Sequence, residues 1–155
     1  MKNIFLDIDG VLNTRNFGSQ DSFDSKAVAN LARIIESTGA AIVISSSWKF
    51  LGLSEIQRIW RIKKLPGKVI DITPDTISDD MLLKADLSDI DNLYTRGNEI
   101  KEWLKKHIFD NSNYVIIDDS NNFLPEQYSH LVQTDPKIGL SASDARRAIE
   151  ILNKN

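Results

Sequence analysis

Cysteine is absent from this chain of 155 residues, which excludes disulfides, cysteine-ligated zinc and thiol nucleophiles together. A net positive charge is missing as well. At −3 the composition makes no broad basic nucleic-acid-binding face evident, although a local patch escapes such a sum. No apolar run nears the roughly 20 residues that span a bilayer, and MKNIFLDIDG turns acidic too early for a secretory signal. The expectation is a cytoplasmic protein with no membrane partner. Internal repeats and low-complexity tracts are lacking too. What is there, 41% hydrophobic and 26% charged residues, suits a soluble globular protein with a proper core, read as one domain over residues 1–155.

Apolar stretches mark four strands, at residues 3–8, 40–46, 114–118 and 130–134. The first three are close to continuously apolar, the pattern of strands covered by helices on both faces of a parallel sheet. Helical spacing lies between them. Asp24 or Ser25 opens a helix through Ser37, with Val28, Leu31, Ile34 and Ile35 inward and Gly39 as its stop. Ser54 with Gln57 resembles a capping box ahead of Ile56, Ile59 and Trp60. A third helix starts near Gly97 and turns Ile100, Trp103, Leu104 and Ile108 inward; a fourth starts at about Ser143 and carries Ala145, Ala148, Ile149 and Leu152. Strand and helix alternate, so the expected fold class is α/β with a doubly wound parallel sheet. Residues 64–95 break the rhythm with two prolines, a Pro-Gly turn and many aspartates, leaving only a short possible strand at Val69–Ile72. They read as an insertion or elaborated connection within the domain.

In an open α/β sheet, ligands bind beyond the carboxyl ends of the strands. Asp7, Asp9 and Gly10 follow the first strand, Ser45, Ser46 and Ser47 the second, and Asp118 and Asp119 the third. Carboxylates gathered there repel one another unless a cation sits among them. A site of carboxylates, a carbonyl and waters, with room for a phosphate, suits Mg²⁺. Taken alone, Asp-x-Asp-Gly is also an ordinary turn sequence, and serines after a strand are also capping residues. Trp48, Trp60 and Trp103 read as core, with Trp48 near enough to the serines to line a pocket. Lys49 reads as a solvated charge, His107 and His130 as structural or surface residues, and the acids of 71–91 as solvated surface.

The order of these segments resembles the haloacid dehalogenase (HAD) superfamily of phosphohydrolases over most of the chain. Asp7-Ile8-Asp9-Gly10-Val11-Leu12 matches its first motif, Ile42-Val43-Ile44-Ser45 its second, and Val115-Ile116-Ile117-Asp118-Asp119 its fourth. For the third, a Lys or Arg near the start of the helix before the next strand, Arg96 is the candidate and Lys84 its competitor. IVISSSW, TRGNEIKEWL and IIDDS further resemble the HAD-like domains of Swiss-army-knife RNA repair proteins. The resemblance implies a Rossmannoid, HAD-like sheet with little or no cap, since Gly10 to Asp24 is too short for a folded cap and 64–95 supplies at most a small lid.

It also implies a Mg²⁺-dependent phosphomonoesterase. Asp7 would be the nucleophile that forms an aspartyl-phosphate, and Asp9 the general acid and base. Asp7, the backbone carbonyl of Asp9, and Asp119 would hold Mg²⁺, with Asp118 orienting Arg96 or the metal waters. Ser45, Ser46, Arg96 and Gly10 would surround the phosphate. An open site admits bulky phosphates, so the expected substrate is a nucleotide or a nucleic-acid end phosphate. Two alternatives come from other classes. A non-catalytic phosphate- or nucleotide-binding regulatory module would be expected to have lost Asp7 or Asp9, and both are present. A response-regulator-like receiver carries its phosphorylated Asp after the third strand, whereas here Asp-x-Asp follows the first.

Overall fold

The structure, a computed structural model, describes residues 1–76, 83, 96–107 and 113–154. Five strands form one sheet in the order β3-β2-β1-β4-β5: β1 Lys2–Leu6, β2 Ala41–Ile44, β3 Val69–Ile72, β4 Asn113–Asp118 and β5 Leu131–Gln133. Every pairing is parallel, so each crossover must climb over a face of the sheet. The covering helices are α1 (Ser25–Thr38), α2 (Leu53–Ile62), α3 (Arg96–Lys106) and α4 (Ala142–Leu152). Among the described residues no helix is long and apolar enough to cross a membrane.

Side chains alternate across a strand, so β1 sends Ile4 and Leu6 to one face and Phe5 to the other. Ile4 and Leu6 join Leu31 and Ile34 of α1, Ile56 and Ile59 of α2, and Ala145 and Ala148 of α4. Phe5, with Val43 and Ile116, meets Ile100 and Trp103 of α3. Both faces are therefore buried, which is why the strand sequences are apolar throughout instead of alternating with polar residues.

Helix α1 begins on the cap expected of it, and α4 begins at Ala142, close to the expected Ser143. Asp24 caps α1 by accepting from the Lys26 and Ala27 N–H groups, and Gly39 ends it in the left-handed region at φ 67°. Ser141 and Asp144 form a reciprocal capping box at the start of α4. Helix α2 departs from expectation. The Ser54–Gln57 box does not form: the helix opens at Leu53 behind Gly52, which has no side chain to cap it. Gln57 is instead drawn to the sheet, where its Nε2 donates to the Val69 carbonyl at 2.9 Å. A tertiary hydrogen bond to an edge strand has displaced a local one.

Within 64–95, Val69–Ile72 is that edge strand. Its pairing slips by one residue, with Ile42 opposite Val69 and Val43 opposite Asp71. The extra residue is a bulge, and it lets neighbours share a face. Ile70 packs against the Phe5–Trp103 cluster, while Asp71 accepts from the Trp103 indole N–H at 2.7 Å. Asp71 is thus a half-buried acceptor and not the solvated acid expected. Ile108 and Lys84 lie outside the described residues.

Candidate active site

Strands β1 and β2 end at Leu6 and Ile44, two residues short of the expected bounds, and β4 ends at Asp118 as expected; the residues at and after these ends converge. β1 stops at Leu6, and its ladder carries on through Asp7, whose N–H donates to the Ile117 carbonyl at 2.9 Å. Ser45 follows β2 in the same way, donating its N–H to the Leu6 carbonyl at 2.9 Å. Asp118 closes β4. Because β1 lies between β2 and β4, these three residues meet at the point where the chain order of the sheet reverses, the usual ligand crevice of such folds.

Asp7 and Asp118 are buried, at 2% and 1% exposure, and Arg96 lies against both. A single nitrogen, Arg96 Nη1, stands 2.9 Å from Asp7 Oδ2 and 2.6 Å from Asp118 Oδ2. The second Asp118 oxygen accepts from the Ser120 N–H at 2.8 Å. Burial, and then the Asp118 charge, push the Asp7 carboxyl well above the usual carboxylate range, and Arg96 only partly offsets this. Burial likewise raises Asp118, against Arg96 and the Ser120 N–H. Burial also works against the Arg96 charge, but Asp118 and Asp7 outweigh it and hold the guanidinium protonated.

Carboxylate oxygens of Asp7, Asp118 and Asp119 lie within 4.8 Å of one another. This all-oxygen set fits Mg²⁺. A second observation supports the fit. Asp7 Oδ1 and the Ser45 hydroxyl are buried with no hydrogen-bond partner. Buried polar atoms are usually satisfied, and these two are left free to meet an incoming group.

Gly10 stands beside this cluster for a reason of its own. Its φ is +83°, and a Cβ there would fall 2.5 Å from Asp119 Oδ2. The sequence suggested a close approach to phosphate; the structure supplies a close approach to an acid. Gly10→Ala is expected to destabilise the fold by about 1–2 kcal/mol and to weaken Mg²⁺ binding by displacing Asp119. Thermal unfolding and a Mg²⁺ titration check this, and wild-type values in both would remove the explanation.

Asp9 is not one of the three clustered acids and sits in a set of donors. Its Oδ1 accepts from Asn13 Nδ2 and from the Gly18 N–H, each at 2.9 Å, and its Oδ2 from the Trp48 indole at 3.2 Å. Three donors from separate segments fix its orientation. Trp48 is core, as expected, but its indole N–H also serves this acid. Ser46 uses its hydroxyl oxygen to accept from the Trp48 N–H at 3.2 Å, opening the 3₁₀ turn Ser47–Leu51. Ser47 is exposed.

Other parts of the frame were not visible in the sequence. Thr134 donates its hydroxyl to the Gly10 carbonyl and its N–H to the Asp118 carbonyl, both at 2.9 Å, clamping the first loop to the end of β4. Buried Gln127 donates to the Gly97 carbonyl at 2.9 Å, which seats the start of α3 and with it Arg96. Lys49 is a correction. Its side chain is 9% exposed, and its ammonium lies 2.7 Å from Glu99 and 2.9 Å from Asp75, so it is a buried ion pair and not a solvated charge. His107 and His130 are structural, as expected, stacked on Trp103 and Tyr114 respectively.

Between Asp9 and α1 the chain forms no folded cap. Thr14 to Phe23 contains no helix, only the single bridge of Asn13 to Phe23. No curated protein and no solved structure matches this chain. The model of one family does match, over residues 3–145, and the acid-bearing strand ends described above fall within that span; the chain belongs to the family of the HAD domain in Swiss Army Knife RNA repair proteins.

Proposed function

We propose that the chain, acting as one domain, is a Mg²⁺-dependent phosphomonoesterase that works through an aspartyl-phosphate on Asp7. The observation that carries this reading is the partner-free oxygen of buried Asp7, set among Arg96, Asp118 and Asp119. Family membership supports a phosphatase-type hydrolase. Its description as an RNA-repair domain, with the short loop over the crevice, favours a nucleotide or a nucleic-acid end phosphate as substrate.

The substrate phosphoryl group would be bound by Arg96 and the Ser45 hydroxyl, with Ser46 and Gly10 shaping the loops around it. Asp7 attacks phosphorus; the bond to the leaving oxygen breaks as Asp9 gives that oxygen a proton. Water then attacks the acyl phosphate while Asp9 takes a proton from that water, and the bond to Asp7 breaks to free its carboxylate and inorganic phosphate. Asn13, Gly18 and Trp48 hold Asp9 in one orientation for both proton transfers. Asp7, Asp119 and the Asp9 carbonyl would hold Mg²⁺, which when bound offsets charge on nucleophile and phosphate. Asp118 positions Arg96.

The test is hydrolysis of an aryl phosphate with Mg²⁺ and with a chelator. Turnover is expected only with the metal, and denatured protein from single-turnover mixtures should carry one phosphoryl group on Asp7. A folded protein that binds Mg²⁺ and hydrolyses no phosphate ester would favour a binding module instead.

A further inference from the structure

A cavity of about 480 Å³ opens at the C-terminal ends of β2 and β3, on the same end of the sheet as the acid cluster. That volume lies in the range of small-molecule sites and exceeds what one phosphate needs. Its walls are rigid. Trp103 is fixed by the Asp71 bond and by an edge-on contact with Phe5 at 5.3 Å, and His107 stacks on it at 3.8 Å while donating from Nδ1 to the Trp103 carbonyl. Thr73 forms another wall, itself anchored by its N–H to the Ile44 carbonyl at 3.0 Å.

Two elements that line the cavity also send partners to the acids of the first loop and strand end. The turn Ser47–Leu51 gives Trp48 to Asp9 and gives Lys49 and Phe50 to the cavity. Helix α3 gives Arg96 to Asp7 and, one turn on, Glu99 to Lys49.

The lining selects the chemistry. Lys49 and Lys106 are balanced by Asp71 and Asp75, so the cavity is near neutral and does not suit a further chain of phosphates. Phe50 is the exception to the buried aromatics around it: among the described residues it is 80% exposed, at the cavity mouth. An uncovered ring beside a rigid, near-neutral hollow with hydroxyl and carboxylate groups fits a flat heterocycle that is apolar on its faces and polar at its edges.

We propose that this cavity receives the nucleobase of the phosphorylated substrate, with Phe50 as its stacking face. The proposal rests on the reading of the acid cluster as a phosphate site. A phosphotyrosine-like ring would use the stacking face alone.

Binding to Asp7→Asn protein in Mg²⁺ tests the proposal without turnover, using 3′-AMP, 5′-AMP, ribose 5-phosphate and phenyl phosphate in calorimetric titrations. One of the adenosine phosphates is expected to bind about tenfold or more tightly than ribose 5-phosphate, the scale of one base stacked on an aromatic ring. Adding Phe50→Ala should remove most of that ratio and leave ribose 5-phosphate unchanged. Equal affinities, binding of neither adenosine phosphate, a preference for phenyl phosphate, or a ratio that survives Phe50→Ala would each overturn it. So would an equal loss in Phe17→Ala, whose exposed ring lies outside the cavity. Wild-type hydrolysis of an aryl phosphate reports on the phosphatase reading alone. A protein that binds AMP through Phe50 yet hydrolyses nothing keeps the cavity assignment and loses the enzyme.

Discussion

Asp7→Asn is expected to lower phosphate-ester turnover by on the order of 10³-fold or more, the scale on which removal of a covalent nucleophile acts. Asparagine keeps the shape of the side chain but offers no anionic oxygen to attack phosphorus. The structure also predicts what the change does to stability, and this separates a chemical loss from a structural one. Asp7 is 2% exposed, and burial and Asp118 both disfavour its charge. Replacing it by a neutral amide removes that repulsion and leaves Arg96 paired with Asp118 alone, so metal-free Asp7→Asn should melt at or above the wild type. Mg²⁺ should raise its melting temperature less than that of the wild type, because one of the clustered acids is gone. Turnover that persists in Asp7→Asn would sink the mechanism.

Arg96→Ala should fail in both respects at once. The guanidinium is the cation that the structure places between two buried carboxyls, and taking away one partner of a buried pair leaves the other uncompensated, a loss of roughly 3–5 kcal/mol. Part of that is relieved when the acids take up protons, which gives the effect a pH signature. Both carboxyls are raised in the folded state, so without metal the folded protein holds more protons than the unfolded one. Stability therefore falls as pH rises above the unfolded carboxyl value of about 4. Removing Arg96 raises the acids further and steepens the fall. The difference between variant and wild type should be small near that value and largest above neutrality, as measured by chemical denaturation in chelator. Turnover should drop by about 10²–10³-fold, in line with loss of one charged donor to a transferring phosphoryl group. Arg96→Lys restores a cation but not a fork, so it should recover most of the stability and less of the activity. A pH-independent difference would mean that Arg96 is not what compensates the acids.

Much of this architecture was legible in the residues. Near-continuous apolar runs at 3–8, 40–46 and 114–118 marked strands buried on both faces, and the acids and serines at their ends marked one crevice. Those signals are local and survive any arrangement of the rest. What stayed hidden were contacts between polar groups far apart in the chain. Nothing in the sequence pairs Trp48 with Asp9, Lys49 with Glu99 or Thr134 with Gly10, because side-chain partners across loops follow no period. Gln57 shows the same limit from the other side: its spacing from Ser54 matched a local motif, and a carbonyl on β3 took it instead. Gly10 was found for an incomplete reason, since a motif records that a side chain is unwelcome but not what it would strike.

The central place of β1 has a consequence for how the chain is made. Its register runs from Asn3 opposite Ala41 on one side to Lys2 opposite Asn113 on the other. At about 5–20 residues per second, on the order of ten seconds of synthesis separate β1 from the strand that closes its second edge. For that interval the nascent chain carries an apolar strand with one row of backbone groups open to any passing edge. Arg96 emerges into the same interval without Asp118 to meet it. Arg96 can bridge Asp7 to Asp118 only after β4 has left the ribosome, so a chain stalled before Asn113 would hold every residue of the first two strand ends and still lack the acid pair.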